Sequence, residues 1–159
     1  MNVNSNLVNN NHKHTLINVF KNKIISIYMK FFYFGTDGGE NSGVTGFWLC
    51  EIKWLFSVVL LHFKKGSREK YHSHAFNAYS FYIKGEVKEY HLHDKSIMWK
   101  PSIYPKYTSR TTFHKIYALK DTWCLSFRGP WVDYWCEYSP KYKEYSLLTK
   151  NRRILNKWK

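Results

Sequence analysis

Histidines are the residues of this chain whose type and spacing could do chemistry. Eight occur in the sequence, and six of them form three His-x-His pairs: His12/His14, His72/His74 and His91/His93. On a β-strand, residues i and i+2 point to the same face, so such a pair can present two imidazoles to one ion. Neutral imidazole binds divalent Fe, Mn, Ni, Cu and Zn. A transition-metal site is therefore the first chemistry that the sequence suggests.

The three pairs differ in their surroundings. The first lies in an Asn-rich lead, residues 1–14, which has no periodicity and which we expect to be disordered. The third stands beside a predicted turn, so we interpret it as a solvated strand end. The second pair follows Gly66 after five residues and precedes Gly85 by ten.

This second pair resembles the first sequence motif of the cupin superfamily, which has the form G-x5-H-x-H, then a Glu and a later Gly. The spacing from Gly66 to His72, the His-x-His and Gly85 all match. The Glu of the motif does not, because residues 77–80 are Asn, Ala, Tyr and Ser. The family's second motif supplies one more His from a later strand, and His114 corresponds to it. The resemblance thus implies that His72, His74 and His114 bind one divalent metal.

A wider likeness covers about Gly46 to Glu144. The runs YHSHAFNAYSFYIKGEVKEY, FHKIYAL and WCLSFRGPWVDYWCEYSP are similar to small bacterial and phage cupin-like proteins. Those proteins share H-x-H-P-W-D-F, a strand ending in Gly, a later His-Arg and a Trp-rich strand. Ala75, Asn77 and Lys115 stand in place of the Pro, Asp and Arg of that pattern. The resemblance implies an all-β fold, a cupin-type jelly-roll (double-stranded β-helix) barrel.

The sequence leaves three hypotheses open for the reaction. Three His without a carboxylate resemble the ligand set of thiol-dioxygenase-like cupins, which favours iron, with manganese, nickel or zinc as alternatives. The first hypothesis is therefore a non-haem iron(II) dioxygenase that acts on a small, anionic substrate. A different metal-assisted reaction, such as isomerisation or hydrolysis, is the second. The third is a non-catalytic binding module for a nucleotide, a sugar or nucleic acid in a phage or bacterial context.

Other residues are candidates for the pocket around the ion. Asn77, Ser80 and Tyr82 would line it if their strand keeps its alternation, whereas a bulge would reverse the face. Arg128 follows His114 by fourteen residues, which resembles the placement of the basic residue that binds the co-substrate in 2-oxoglutarate enzymes. Cys124 is expected to be a buried, inert thiol.

Aromatic residues surround the proposed ligands in the sequence. Tyr71, Phe76, Phe81 and Phe113 lie close to the histidines along the chain. This context predicts a lined cavity, in which unpaired imidazoles would be costly.

The composition and the turn signals predict the elements that must hold this site. Aromatic residues make up 19% of the chain, and they suit half-buried pleated surfaces. Turn residues at intervals of eight to twelve predict a barrel or sandwich of short strands: 46–52, 54–63, 71–75, 78–91, 96–100, 104–108, 113–119, 122–128 and 132–138. Apolar spacing predicts a C-terminal helix over 143–157. We divide the chain into a flexible extension (1–28), the barrel (29–145) and a basic tail or helix (146–159).

The charge of the chain bears on its partners. The formal net charge is +14, and residues 141–159 alone carry seven basic side chains and one acidic one. Such a field favours a small anionic ligand, and the aromatic-laced tail is a candidate for nucleic-acid binding. Residue usage rich in Lys, Asn, Ile and Tyr is equally what an AT-rich phage or viral genome produces.

The remaining features predict a cytoplasmic protein of a bacterium or a phage-infected host. Three widely spaced cysteines suit a reducing compartment. The most apolar stretch, 47–63, contains Glu51, Lys53 and His62 and is too short and too charged to span a bilayer. No secretory signal is expected in residues 1–28. The resemblance also implies a homodimer, since cupins commonly pair through strands.

Overall fold

A computed structural model describes residues 29–38, 42–67, 70–92 and 95–159, and these form strands and connecting loops. Predictions that concern residues 1–28, including the His12/His14 pair and the flexible extension, and those that concern His93 lie outside the described residues. The strands are β1 (Met29–Thr36), β2 (Val44–Ile52), β3 (Phe56–Phe63), β4 (Gly66–Ser67), β5 (Tyr71–His72), β6 (Ala78–Lys84), β7 (Val87–His91), β8 (Ser96–Trp99), β9 (Lys106–Thr108), β10 (His114–Ala118), β11 (Thr122–Arg128), β12 (Tyr134–Ser139), β13 (Glu144–Thr149) and β14 (Ile154–Trp158).

The strands form two antiparallel sheets. The first has the order β1-β2-β3-β11-β6-β9. The second has the order β14-β13-β12-β5-β10-β7-β8, with β4 paired to β10 off that path. Neighbours in the sheets are mostly distant in sequence, as in a jelly roll, and the all-β jelly-roll prediction is confirmed.

Alternation along the strands places the core between the two sheets. Residues of β2, β3, β6 and β11 from the first sheet pack against residues of β7 and β10 from the second. This main cluster consists of Val44, Trp48, Val59, Leu61, Tyr82, Val87, Ile116, Ala118 and Cys124. A smaller cluster beside it consists of Ala75, Phe76, Ala78, Trp135 and Leu148. The interior faces of the two sheets therefore hold both the hydrophobic core and the candidate functional residues.

The strand predicted over 78–91 is two strands, separated at Gly85. Gly85 has a φ of 90°, a left-handed conformation that favours glycine. A Cβ at this position would overlap Thr122 Oγ1 and lie 2.6 Å from the carbonyl oxygen of Asp121. The chain therefore reverses against the start of β11, and β6 and β7 go to different sheets.

The C-terminal helix predicted over 143–157 is wrong, because this segment forms β13 and β14. Arg152 adopts a φ of 61° in the turn between them, and its backbone N–H donates to Thr149 O at 2.9 Å. β13 completes its ladder on β12, from Tyr134↔Thr149 to Ser139↔Glu144. Backbone pairing with the edge of β12 thus outweighs the helix-like spacing of four apolar residues in this segment. β13 also crosses the boundary predicted at residue 146.

No helix in the described ranges is both long enough and apolar enough to cross a membrane.

Candidate metal centre

Two adjacent strands of the second sheet bring the proposed ligands together. His72 on β5 is the direct cross-strand partner of His114 on β10. Opposed residues in a sheet share a face, so both imidazoles point the same way, into the interior. His74 follows β5 by two residues, and its backbone N–H donates to Arg110 O at 3.1 Å, which fixes its position beside the other two.

The three imidazoles form one compact group. One ring nitrogen of each lies within 4.8 Å of the others, and His74 Nε2 is 2.7 Å from His114 Nε2. His72 and His114 are buried, with 5% and 4% of their surface exposed, and His74 is half-buried. Residues 40 positions apart along the chain therefore meet at one point on the inner face of the barrel.

The chemistry of this group fits a transition-metal ion. Nitrogens that bind an ion at about 2.1 Å lie roughly 3–4 Å apart, and the separations in this structure, from 2.7 Å to at most 4.8 Å, bracket that range. Burial lowers the pKa of His114, and its hydrogen bond with Glu89 opposes that effect only in part, which favours the neutral ring. Neutral imidazole is the form that binds metal. Among the described residues, no carboxylate belongs to the group.

Glu89 holds His114 from the side opposite the group. Its side chain is fully buried, and Oε1 accepts a short hydrogen bond from His114 Nδ1. The same oxygen accepts from Lys106 Nζ at 2.7 Å, and Oε2 accepts from Trp99 Nε1 at 2.6 Å. With Nδ1 as the donor, the neutral ring of His114 keeps its lone pair on Nε2, the nitrogen that faces His74.

The electrostatics keep Glu89 ionised. Burial acts to raise its pKa, but the hydrogen bond from His114 and the charge of Lys106 outweigh burial and lower the pKa to about 2. Lys106 is itself buried, which lowers its pKa, while the carboxylate of Glu89 counteracts that effect. The carboxylate is thus an acceptor at every ordinary pH, and it orients the ring of His114.

Sequence reasoning missed Glu89 and misplaced His91. His91 on β7 is the cross-strand partner of His114 on the side away from His72, and its ring is half-buried, so it is not a solvated strand end. Its Nε2 lies 3.7 Å from Glu89 Oε1. The i, i+2 spacing of Glu89 and His91 could have placed them on one face. Only the pairing of β7 with β10 places that face against His114.

A cavity of about 340 Å³ adjoins the three histidines. Phe76, Trp131 and Trp135 contribute apolar and aromatic walls. Among the described residues that line it, one carboxylate (Asp37) faces six cationic side chains: Lys64, Lys65, Lys106, Arg128, Lys150 and Arg152. Four of these cations form ion pairs, Lys106 with Glu89, Arg128 with Asp37, Lys150 with Asp133 and Arg152 with Glu137. Lys64 and Lys65 therefore supply the net positive charge at the cavity.

Three of the four predicted pocket residues line this cavity. Ser80 and Tyr82 point inward with Ala78 on β6, and Arg128 does so from the end of β11. Arg128 is buried, with Nη2 2.7 Å from Asp37 Oδ2 and its guanidinium 4.7 Å from the ring centre of Phe76. Asn77 lies out of phase with the inward residues: it is exposed, and its Oδ1 accepts from Arg110 N at 2.8 Å.

Of the aromatic residues expected around the ligands, Phe76 alone lines the cavity within the described chain. Phe81 is on the outer side of the first sheet, 6.0 Å from Phe127 between ring centres. Cys124 is 2% exposed and lines the cavity without joining the ligand group. Burial raises the pKa of its thiol to about 11, so it stays protonated.

Comparisons with known proteins find solved structures of similar architecture. No protein-family model matches the sequence, and no curated protein matches it either. Among solved structures, it is similar to an RmlC-like cupin from Shewanella frigidimarina NCIMB 400, at 13% identity and a TM-score of 0.50, over 65% of this chain and 94% of the other. It is also similar to a Salmonella typhimurium LT2 protein provisionally assigned as ethanolamine utilization protein Q, at 12% identity and a TM-score of 0.51, over 62% and 80%.

Proposed function

From the cupin fold that this chain has, we propose that it binds one divalent transition metal on His72, His74 and His114 and takes a small anionic ligand into the adjoining cavity. The convergence of three buried or half-buried imidazoles in the wall of a cation-lined cavity carries the proposal. The nitrogens that converge are those that an ion would take as ligands, with His74 Nε2 and His114 Nε2 2.7 Å apart.

We further propose that the metal is iron(II) and that the protein is a non-haem dioxygenase. Three neutral ligands leave coordination positions open, and an iron(II) ion bound there would supply activation of dioxygen. The residues of the chain would do the rest: Glu89 holds His114, the cationic wall binds the substrate's charge, and Phe76 and Trp131 exclude water.

The alternative is a module that binds its ligand without oxidising it. Manganese, nickel or zinc fit the same three nitrogens. The part-buried ion pair between Arg128 and Asp37 and the cationic wall would serve capture of a nucleotide or an acidic sugar as well as they would serve catalysis. Consumption of oxygen separates the two functions.

The metal content of the protein tests the proposal. We expect protein purified without chelators to contain one iron per chain by elemental analysis, and His72→Ala and His114→Ala to lose it. His62→Ala is a matched control, because His62 stacks on Trp123 outside the ligand group, with ring centres 4.5 Å apart. Absence of bound metal, or equal loss in the control, would refute the site.

An oxygen electrode then separates the two functions. Iron-loaded protein that consumes oxygen with a carboxylic-acid substrate supports the dioxygenase. Zinc, nickel or manganese in the purified protein, with no consumption of oxygen, supports the binding module.

A further inference from the structure

The outer side of the second sheet carries a row of mostly aromatic side chains that crosses its strands. The inward residues of these strands, such as His72, His114 and Trp135, are buried, so their neighbours in the chain point outward. We refer to six outward residues as the tyrosine row, which runs from strand to strand in this order: Trp158, Tyr145, Tyr138, Tyr71, Lys115 and Tyr90. The row therefore lies on the opposite side of the sheet from the three histidines.

The rings at the β14 end of the tyrosine row contact one another. Tyr145 stacks on Trp158 with 5.6 Å between ring centres, and Tyr138 lies 4.5 Å from Tyr145. Trp158 is 41% exposed, and the other members of the row are half-buried. Neighbours along the row therefore hold each ring in place, and each ring still presents part of its surface to solvent.

Lysines lie among the rings at the other end of the row. The ammonium group of Lys115 lies between two rings, 5.1 Å from the centre of Tyr71 and 5.4 Å from the centre of Tyr90. Lys88, which also points outward from β7, lies 5.1 Å from the centre of the Tyr90 ring. The tyrosine row thus combines aromatic surface with positive charge, and none of its six members is acidic.

The carboxylates next to the row in the sequence do not offset this charge. Glu89 and Glu137 are buried on the inner side of the sheet, and each pairs with a cation there. Glu144 accepts a hydrogen bond from Lys157 Nζ at 2.8 Å. Because the whole chain carries a net charge of +14, the outer side of this sheet attracts anions.

We propose that the tyrosine row binds single-stranded nucleic acid. Each nucleotide has a flat base and one negative charge, so a single strand repeats the two groups that aromatic rings and lysines bind. Adjacent strands of a sheet are about 4.8 Å apart, so the six strands of the row span about 24 Å. This length suits roughly four extended nucleotides, as in other sheets that bind single strands.

The geometry favours a single strand over a duplex. The bases of a duplex stack on one another, so they offer no free face to a ring of the protein. A single strand laid along the row can stack its bases on the tyrosines and place its phosphates near Lys115 and Lys88. This binding is independent of the proposed metal site and of the cavity, which lie on the inner side of the sheet.

Fluorescence anisotropy of a labelled oligothymidine of about 12 nucleotides tests this inference, in the presence of EDTA so that the result does not depend on a metal. We expect micromolar affinity at low salt. Raising the salt from about 50 to about 200 mM should weaken binding roughly tenfold, because about two or three phosphate contacts release counterions. Lys115→Gln should make this salt dependence less steep.

Loss of a ring separates the row from simple attraction by charge. Tyr138→Ala and Tyr145→Ala should each lower the affinity about 5–100-fold, because stacking on one base is lost while the charge of the protein is unchanged. Tyr138→Phe keeps the ring and should bind like the wild type. Tyr79→Ala is the matched control, since Tyr79 is a 54% exposed tyrosine on the outer side of the first sheet.

Three outcomes would overturn the inference. The first is no binding of the oligonucleotide, even if vesicles of phosphatidylcholine and phosphatidylserine bind to the row. The second is an affinity that both alanine variants leave unchanged, and the third is an equal loss in Tyr79→Ala. Circular dichroism verifies that each variant folds. If an alanine variant does not fold, Trp158→Ala replaces it with the same expected loss, because Trp158 is on the edge strand β14.

Discussion

Among single residues, Glu89 determines which ring nitrogen of His114 is available to a metal. A buried carboxylate normally destabilises a fold, but Glu89 accepts hydrogen bonds from His114, Lys106 and Trp99 and so compensates its desolvation. Its position behind His114 directs the lone pair of that ring to the proposed metal. The proposed ligand group thus depends on Glu89, which is not itself a member of that group.

Replacing Glu89 should weaken the metal site without removing a ligand. We expect Glu89→Gln to lower the affinity for a divalent metal by about 10–100-fold, because an amide no longer anchors the ring of His114 by charge. Competition with a coloured chelator measures this change. Glu86→Gln is the control, since Glu86 lies at the surface near Lys100 and Lys120. An unchanged affinity in Glu89→Gln would contradict the role of Glu89.

Among the secondary-structure elements, the turn at Gly85 is important because the chain passes there from the first sheet to the second. These two sheets enclose the candidate site. β6 supplies Ser80 and Tyr82 to the cavity, whereas β7 supplies Glu89 and His91 behind the ligands. The two strands are consecutive in the chain but belong to opposite sheets. The chain must therefore cross from one sheet to the other within two residues, and this tight connection requires a glycine.

A methyl group at this turn should be costly. We expect Gly85→Ala to destabilise the protein by about 2–4 kcal/mol, since it adds backbone strain and an overlap with Thr122. Gly66→Ala separates the two causes, because Gly66 has a φ of 123° but open space around it. Its cost should be about 1–2 kcal/mol, from strain alone. Denaturant unfolding measures both, and equal costs would refute the overlap.

For the whole molecule, the important property is where the positive charge is located. Lys150 and Arg152, in the segment predicted as a nucleic-acid-binding tail, line the cavity from the turn between β13 and β14. Lys150 is paired with Asp133 and Arg152 with Glu137, and we propose that a small anion in the cavity shares these cations with their carboxylate partners. Binding of nucleic acid stays a prediction for the other basic residues of this segment.

Small anions should bind in the cavity and depend on its wall. We expect succinate or inorganic phosphate, titrated by calorimetry, to lose roughly tenfold in affinity in Arg152→Gln, because an ionic hydrogen bond is lost. Lys120→Gln is the control, as Lys120 is exposed and does not line the cavity. An affinity for both anions that Arg152→Gln leaves unchanged would contradict this role of the wall.

By itself, the sequence determined the local features of this protein. Aromatic and β-branched composition with frequent turns predicted strands, and the period of two placed Ser80 and Tyr82 on one face. The resemblance to cupin motifs singled out His72, His74 and His114, which the structure brings together. These features depend on residues close to each other in the chain or on a known pattern, so the sequence alone contains them.

Only the tertiary structure decided which strands are neighbours. Glu89 contacts His114 because β7 pairs with β10, and it contacts Lys106 because the two sheets face each other. Residues 144–158 became a hairpin because the edge of β12 offered them a ladder. Such pairings join segments far apart in sequence, and their register is set by packing across the whole barrel, which no local pattern records.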